Sequence, residues 1–91
     1  MQTKTAIGHV LRELRTEKGL TLRDVAAASH VSLSYLSEIE RGQKEASSEM
    51  LTAITSGLGV RDWQVLVEAG YIMQEMDNMT KLHSVPQSAT V

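Results

Sequence analysis

Apolar residues recur along this chain at intervals of three and four, the spacing of one helix face, and no segment reads as a strand. Ile7, Val10, Leu11 and Leu14 fall on one stripe of a first helix, which Gly19 stops. Thr21 is placed to cap a second helix, with Asp24 three residues on to return the cap, and Leu22, Val25 and Ala26 form its inward face. The run Ala26, Ala27, Ala28 keeps this helix thin, so that a neighbour can pack close to its axis. Ser32 caps a third helix whose inward residues are Tyr35, Leu36 and Ile39. Val31 and Leu36 have the spacing of a hydrophobic staple, and Gly42 ends the helix. A fourth helix begins near Ser47 or Ser48, with Glu49 in its first turn where the helix dipole favours an anion, and runs through Leu51, Ile54 and Leu58 to Gly59. A fifth starts at about Asp62 and carries Trp63, Leu66 and Val67; helical spacing continues past Gly70 through Tyr71, Ile72, Met73, Met76 and Met79. From about Lys81 the stretch KLHSVPQSATV has no periodicity and reads as a disordered tail. The pattern predicts an all-α protein: a five-helix domain over residues 6–69, a helical extension over 70–80 and a tail over 81–91.

The connection between the second and third helices bears on function. Only about residues 28–31 separate them, and a turn that short forces the two axes to cross steeply instead of lying antiparallel. The geometry is a helix-turn-helix, which leaves the outer face of the third helix free to enter a DNA major groove, N-terminus first. With Tyr35, Leu36 and Ile39 inward, the opposite face collects Leu33, Ser34, Ser37, Glu38 and Arg41. Their chemistry suits base edges: Ser34 donates or accepts, Glu38 accepts from cytosine N4, and Leu33 packs on a thymine methyl. Ser32 and the amides of the helix N-terminus can hold a phosphate. Arg23, Arg41 and Lys44 supply charge to the DNA backbone.

Composition narrows the alternatives. At 91 residues and 42% hydrophobic, the chain supports one small domain with a modest core and is too short for a second, effector-binding domain. It contains no cysteine, so disulfides, thiolate zinc sites and catalytic thiols are excluded. No apolar run is long enough for a membrane span or a signal peptide, and the expected location is the cytoplasm. His9, His30 and His83 lie far apart with no Gly-rich phosphate loop, so we expect no enzyme, no metal and no cofactor. The net charge of −2 is unevenly spread: residues 1–44 hold seven cations against five anions, residues 45–91 two cations against six anions. The first half can face a polyanion and the second should avoid it. A small unstapled core is marginal, which favours a homodimer; the spare apolar residues Trp63, Leu66, Met73 and Met76 mark residues of about 60–79 as its surface.

The stretches LRELRTEKGLTLRDVA and VSLSYLSEIERG resemble the helix-turn-helix domains of the phage-repressor-like (XRE) family over about residues 6–69. That resemblance implies a lambda-repressor-like fold. It also implies that Ser34 and Glu38 meet base edges with Leu33 beside them, that Ser32, Ser37 and Arg41 lie near phosphates, and that Glu40 pairs with Arg15. Two positions depart from the family pattern. Leu22 stands where Gln is usual, leaving the Thr21 hydroxyl or Arg23 to make any contact there, and His30 stands in the turn where Gly is usual. More narrowly, TLRDVA and VSLSYLSEIERGQKEASSEML resemble actinobacterial regulators that activate genes of the Clp protease system. This narrower resemblance implies an activator of protease and stress genes. Helix-turn-helix domains of this size bind double-stranded DNA as two-fold dimers, so a homodimer on a pseudo-palindrome is expected, with recognition helices about 34 Å apart. RNA polymerase and a Clp-type protease are the further partners implied, with the end Ala89, Thr90, Val91 as a handle for degradation. The alternative is a helix-turn-helix used as a protein-interaction module, such as an antirepressor or antitoxin. Arg23, Arg41 and Lys44 around the third-helix face argue against it, while the low total charge leaves it open.

Overall fold

The computed structural model describes residues 1–84, with side chains over residues 1–79. Five helices follow in order: α1 (Thr3–Glu17), α2 (Leu22–Ser29), α3 (Leu33–Glu40), α4 (Ser48–Leu58) and α5 (Asp62–Ser84). Short polar side chains start three of them by accepting amide hydrogens that have no partner within the helix. Thr21 Oγ1 accepts from the Asp24 amide at 3.0 Å and Asp24 Oδ2 accepts from the Thr21 amide at 2.8 Å, closing a reciprocal box. The Thr21 amide also holds the Asp24 carboxyl below its ordinary pKa. Ser32 Oγ accepts from Tyr35 N at 3.1 Å to start α3, and Ser47 Oγ from Met50 N at 3.2 Å to start α4.

The buried side chains come from all five helices. Val10 and Leu11 of α1, Val25 of α2, Leu36 and Ile39 of α3, Leu51, Ile54 and Leu58 of α4, and Val65 and Ala69 of α5 form one cluster. Ile7, Leu14, Leu22 and Val31 pack on its edge, half-buried. α1 is the central element, packed against α5, α3 and α4, while α2 lies against α4 and α3.

Two contacts depend on the absence of a side chain. A Cβ on Gly8 of α1 would collide with the carbonyl oxygen of Ile39 and come within 2.9 Å of that of Glu40, so α1 presses directly on the backbone at the end of α3. A Cβ on Gly57 of α4 would collide with Ser29 Oγ, which lies buried without a hydrogen-bond partner among the described residues. Close approach here has displaced polar satisfaction.

The fifth helix and its extension are one element. At 23 residues and about 1.5 Å per residue, α5 is about 35 Å long, and the molecule measures 52 Å along its longest axis against 23 and 21 Å across. Ile72 and Met73 still pack against the core beyond Gly70. The expectation of a disordered tail from residue 81 is corrected over residues 81–84, which are helical. Apolar periodicity signals burial and does not say where a helix stops, because backbone hydrogen bonds are local and no helix breaker comes before Pro86. The remainder of that stretch lies outside the described residues.

The packing at Gly8 gives a directional test. An alanine in a helix is ordinarily favoured over glycine by about 1 kcal/mol. Overpacking against a backbone that cannot yield costs about 1–3 kcal/mol. Gly8→Ala is therefore expected to lower stability in urea titrations despite its better helix propensity.

Candidate nucleic-acid interface

The site is built on α3 and on the two segments that flank it. The turn between α2 and α3 is only residues 30–32, and His30 adopts the left-handed conformation within it, φ 57° and ψ 38°. In that conformation the His30 amide bonds the Ala27 carbonyl and the Val31 amide bonds the Ala26 carbonyl, closing α2 and turning the chain at once. His30 thus does what glycine does elsewhere, in a region that His tolerates better than branched residues.

The two faces of α3 differ in kind. Leu36 and Ile39 are buried and Tyr35 is half-buried; Ser32, Leu33, Ser34 and Arg41 are exposed, with Ser37 and Glu38 half-buried between. Leu33 and Ser34 occupy the first turn, where helix geometry leaves their amides no intrahelical acceptor, so the N-terminus presents donors and a partial positive charge outward. Beside it, Thr21, Leu22 and Arg23 of the α2 start and Leu33, Ser34 and Ser37 of α3 line one open groove of about 590 Å³. Five of the residues proposed from the sequence for DNA meet in this groove, and Leu22 joins them.

At the other end of α3, Glu40 turns inward. Arg15 Nε donates to Glu40 Oε2 at 2.8 Å and Nη2 to Oε1 at 3.0 Å, a bidentate pair, while Nη1 donates to the Leu20 carbonyl at 2.8 Å. The Arg15 and Glu40 side chains are only 12% and 6% exposed, and donating to the Glu40 carboxylate holds the guanidinium pKa above its ordinary value. Glu38 has a different partner: Lys44 Nζ lies 3.8 Å from its Oε2 and 5.9 Å from the centre of the Tyr35 ring. This Lys44 contact was not legible in the sequence, because it spans six residues and passes through the turn at Gly42 instead of following helical spacing. The four residues proposed for a dimer lie apart from this face on α5, where Trp63, Leu66 and Met76 are exposed and Met73 is half-buried against the core.

An all-α, lambda-repressor-like fold with a short turn between a capped α2 and an outward-facing α3 defines the class: a helix-turn-helix protein. The chain belongs to the XRE-type helix-turn-helix family of transcriptional regulators, the helix-turn-helix family model matching residues 11–62. It is 45% identical over 78 residues to the transcriptional regulator ClgR of Mycobacterium tuberculosis, a match covering 86% of this chain and 70% of that protein. The crystal structure of the clp gene regulator ClgR from Corynebacterium glutamicum is similar with a TM-score of 0.85 at 44% identity, over 93% of this chain and 90% of that one. The restriction-modification controller protein C.Esp1396I, solved as a tetramer in complex with its natural 35 base-pair operator, is similar with a TM-score of 0.70 at 29% identity, over 76% and 91% of the two chains.

The Arg15–Glu40 pair can be tested on stability alone. Removing one partner of a buried pair costs about 3 kcal/mol, because the other charge stays desolvated and unpaired. Glu40→Ala is expected to shift the urea midpoint far more than Arg41→Ala, whose side chain is exposed at the end of the same helix.

Proposed function

We propose that this protein is a sequence-specific DNA-binding transcriptional regulator that places α3 in the major groove of a pseudo-palindromic operator as a homodimer. The observation that carries this reading is the outward N-terminal half of α3, donor-rich and flanked by Arg23, with Arg41 and Lys44 at its far end and the anion Glu40 buried and neutralised by Arg15. In this reading Leu33, Ser34 and Glu38 meet base edges, and Thr21, Arg23, Ser32, Ser37, Arg41 and Lys44 meet phosphates. Lys44 would exchange Glu38 for a phosphate on binding, which frees the carboxylate for a cytosine N4. Similarity to a clp gene regulator supports Clp protease genes as targets; activation of these and of stress genes, with RNA polymerase and a Clp-type protease as protein partners, is the rest of the proposal.

In vitro selection of bound duplexes, followed by a salt titration, tests the reading. A palindrome should be enriched, and its affinity should fall steeply with salt. Arg41→Ala should weaken all sequences alike and reduce the salt slope by about one, whereas Glu38→Ala should relax preference at one base pair per half-site. Absence of enrichment would overturn the proposal in favour of a protein-interaction module.

The homodimer is proposed to form through α5. Trp63, Leu66, Gly70 and Met73 succeed one another at helical spacing, and the first two are 61% and 49% exposed. Gly70 sits in this stripe and, beyond its own turn of helix, no described residue lies within 4 Å of where a Cβ would stand. A mid-helix glycine costs about 1 kcal/mol, and no contact among the described residues accounts for it. Close approach of a partner helix would. Leu66→Glu and Gly70→Leu are each expected to lower the mass measured by light scattering from that of two chains to that of one; an unchanged dimer would count against α5.

A further inference from the structure

The groove between the starts of α2 and α3 has a floor that neither phosphate nor a hydrogen-bonding base edge explains. Leu22 is half-buried and packs against the core, so its position is set from beneath. Leu33, across the groove, is 37% exposed in the first turn of α3, an apolar side chain held toward solvent where the helix N-terminus otherwise offers donors. Thr21, Arg23, Ser34 and Ser37 line the rest of the groove and are polar. An open depression with two leucines in a polar surround offers an apolar patch to a small apolar group carried on a polar edge.

The major groove of DNA offers one such group. Among the base edges displayed there, the C5 methyl of thymine, or of 5-methylcytosine, is the apolar group that protrudes; the C5–H of cytosine lies flush with the edge, and the donors and acceptors beside it are ones two leucines cannot satisfy. Resting on the DNA-reading function proposed above, we infer that Leu22 and Leu33 together form a receptor for a pyrimidine 5-methyl group. This chain then distinguishes thymine from uracil, and 5-methylcytosine from cytosine, at that position of each half-site. Leu22 is the specificity-determining residue of the pair, because a polar side chain there would turn the same groove toward hydrogen-bonded reading. Arg23 and Thr21 hold the neighbouring phosphate and set how deeply the methyl enters.

The test uses the full chain and the duplex enriched by in vitro selection, remade with deoxyuridine in place of each thymidine in turn and measured by fluorescence anisotropy. One thymine per half-site is expected to matter, its replacement lowering affinity about fourfold, the value of one buried methyl. At that same position 5-methyldeoxycytidine should bind better than deoxycytidine by a similar factor. Leu22→Gln and Leu33→Ser should each bring the thymine-to-uracil ratio toward one; taken on a single preparation, the ratio is insensitive to any loss of folded protein. A ratio near one at every thymine, or a ratio unchanged in both variants, would overturn the methyl receptor while leaving DNA recognition standing. Failure to enrich any duplex would remove DNA recognition, and the receptor with it.

Discussion

Arg15 reaches from α1 to two places at once, the Glu40 carboxylate that closes α3 and the Leu20 carbonyl in the segment leading to α2. The two helices of the helix-turn-helix are thereby referred to one guanidinium on the scaffold. The planar fork of Arg matches a carboxylate at two atoms, so the pair specifies direction as well as distance. Desolvating two charges is expensive, and such a pair is poor evidence for extra stability. Its value lies in position: an outward face on α3 is useful only if the helix cannot rotate about its own axis. Gly8 adds the complementary constraint by seating α1 on the Ile39 and Glu40 carbonyls, which fixes the same end of α3 by contact.

The pair also resolves the charge of this region. Glu38, Glu40 and Glu45 lie close together in sequence, within a chain of net charge −2, which is unpromising for a surface that meets a polyanion. In the folded chain Glu40 is buried in its pair and Glu38 is matched by Lys44. The exposed functional groups left on α3 and its two cap residues are hydroxyls, a leucine and the cation Arg41. A surface so composed can make few bidentate contacts to bases. On the proposed reading, affinity leans on phosphates and dimerisation, and sequence preference on methyl groups and on DNA shape.

α5 stands outside this arrangement of charge. Its inner line, Val65 and Ala69 and then Ile72, completes the core, while Trp63, Leu66 and Val67 remain exposed. A helix of about 35 Å on a body little more than 20 Å across carries more apolar surface than one core can cover. The same element therefore serves the core through one face and is available for assembly through another.

Element type, order and most boundaries were legible in the sequence, because caps and apolar spacing are local signals. Thr21 with Asp24, Ser32, Ser47 and the stripe Val10, Leu11 each act through neighbours a few residues away. The family resemblance also brought Arg15 and Glu40 together, 25 residues apart in sequence, which no local pattern can do. The end of α5 was not legible, since fading amphipathicity reports where burial stops and not where hydrogen bonding does. Tertiary structure alone decided the rest. Glu38 faces Lys44 because a turn brings the two together, Gly8 and Gly57 are required by what lies across from them, and Leu22 meets Leu33 across a groove made by two helix starts. Each of these is a relation between surfaces of different elements, and it exists only after the helices have packed.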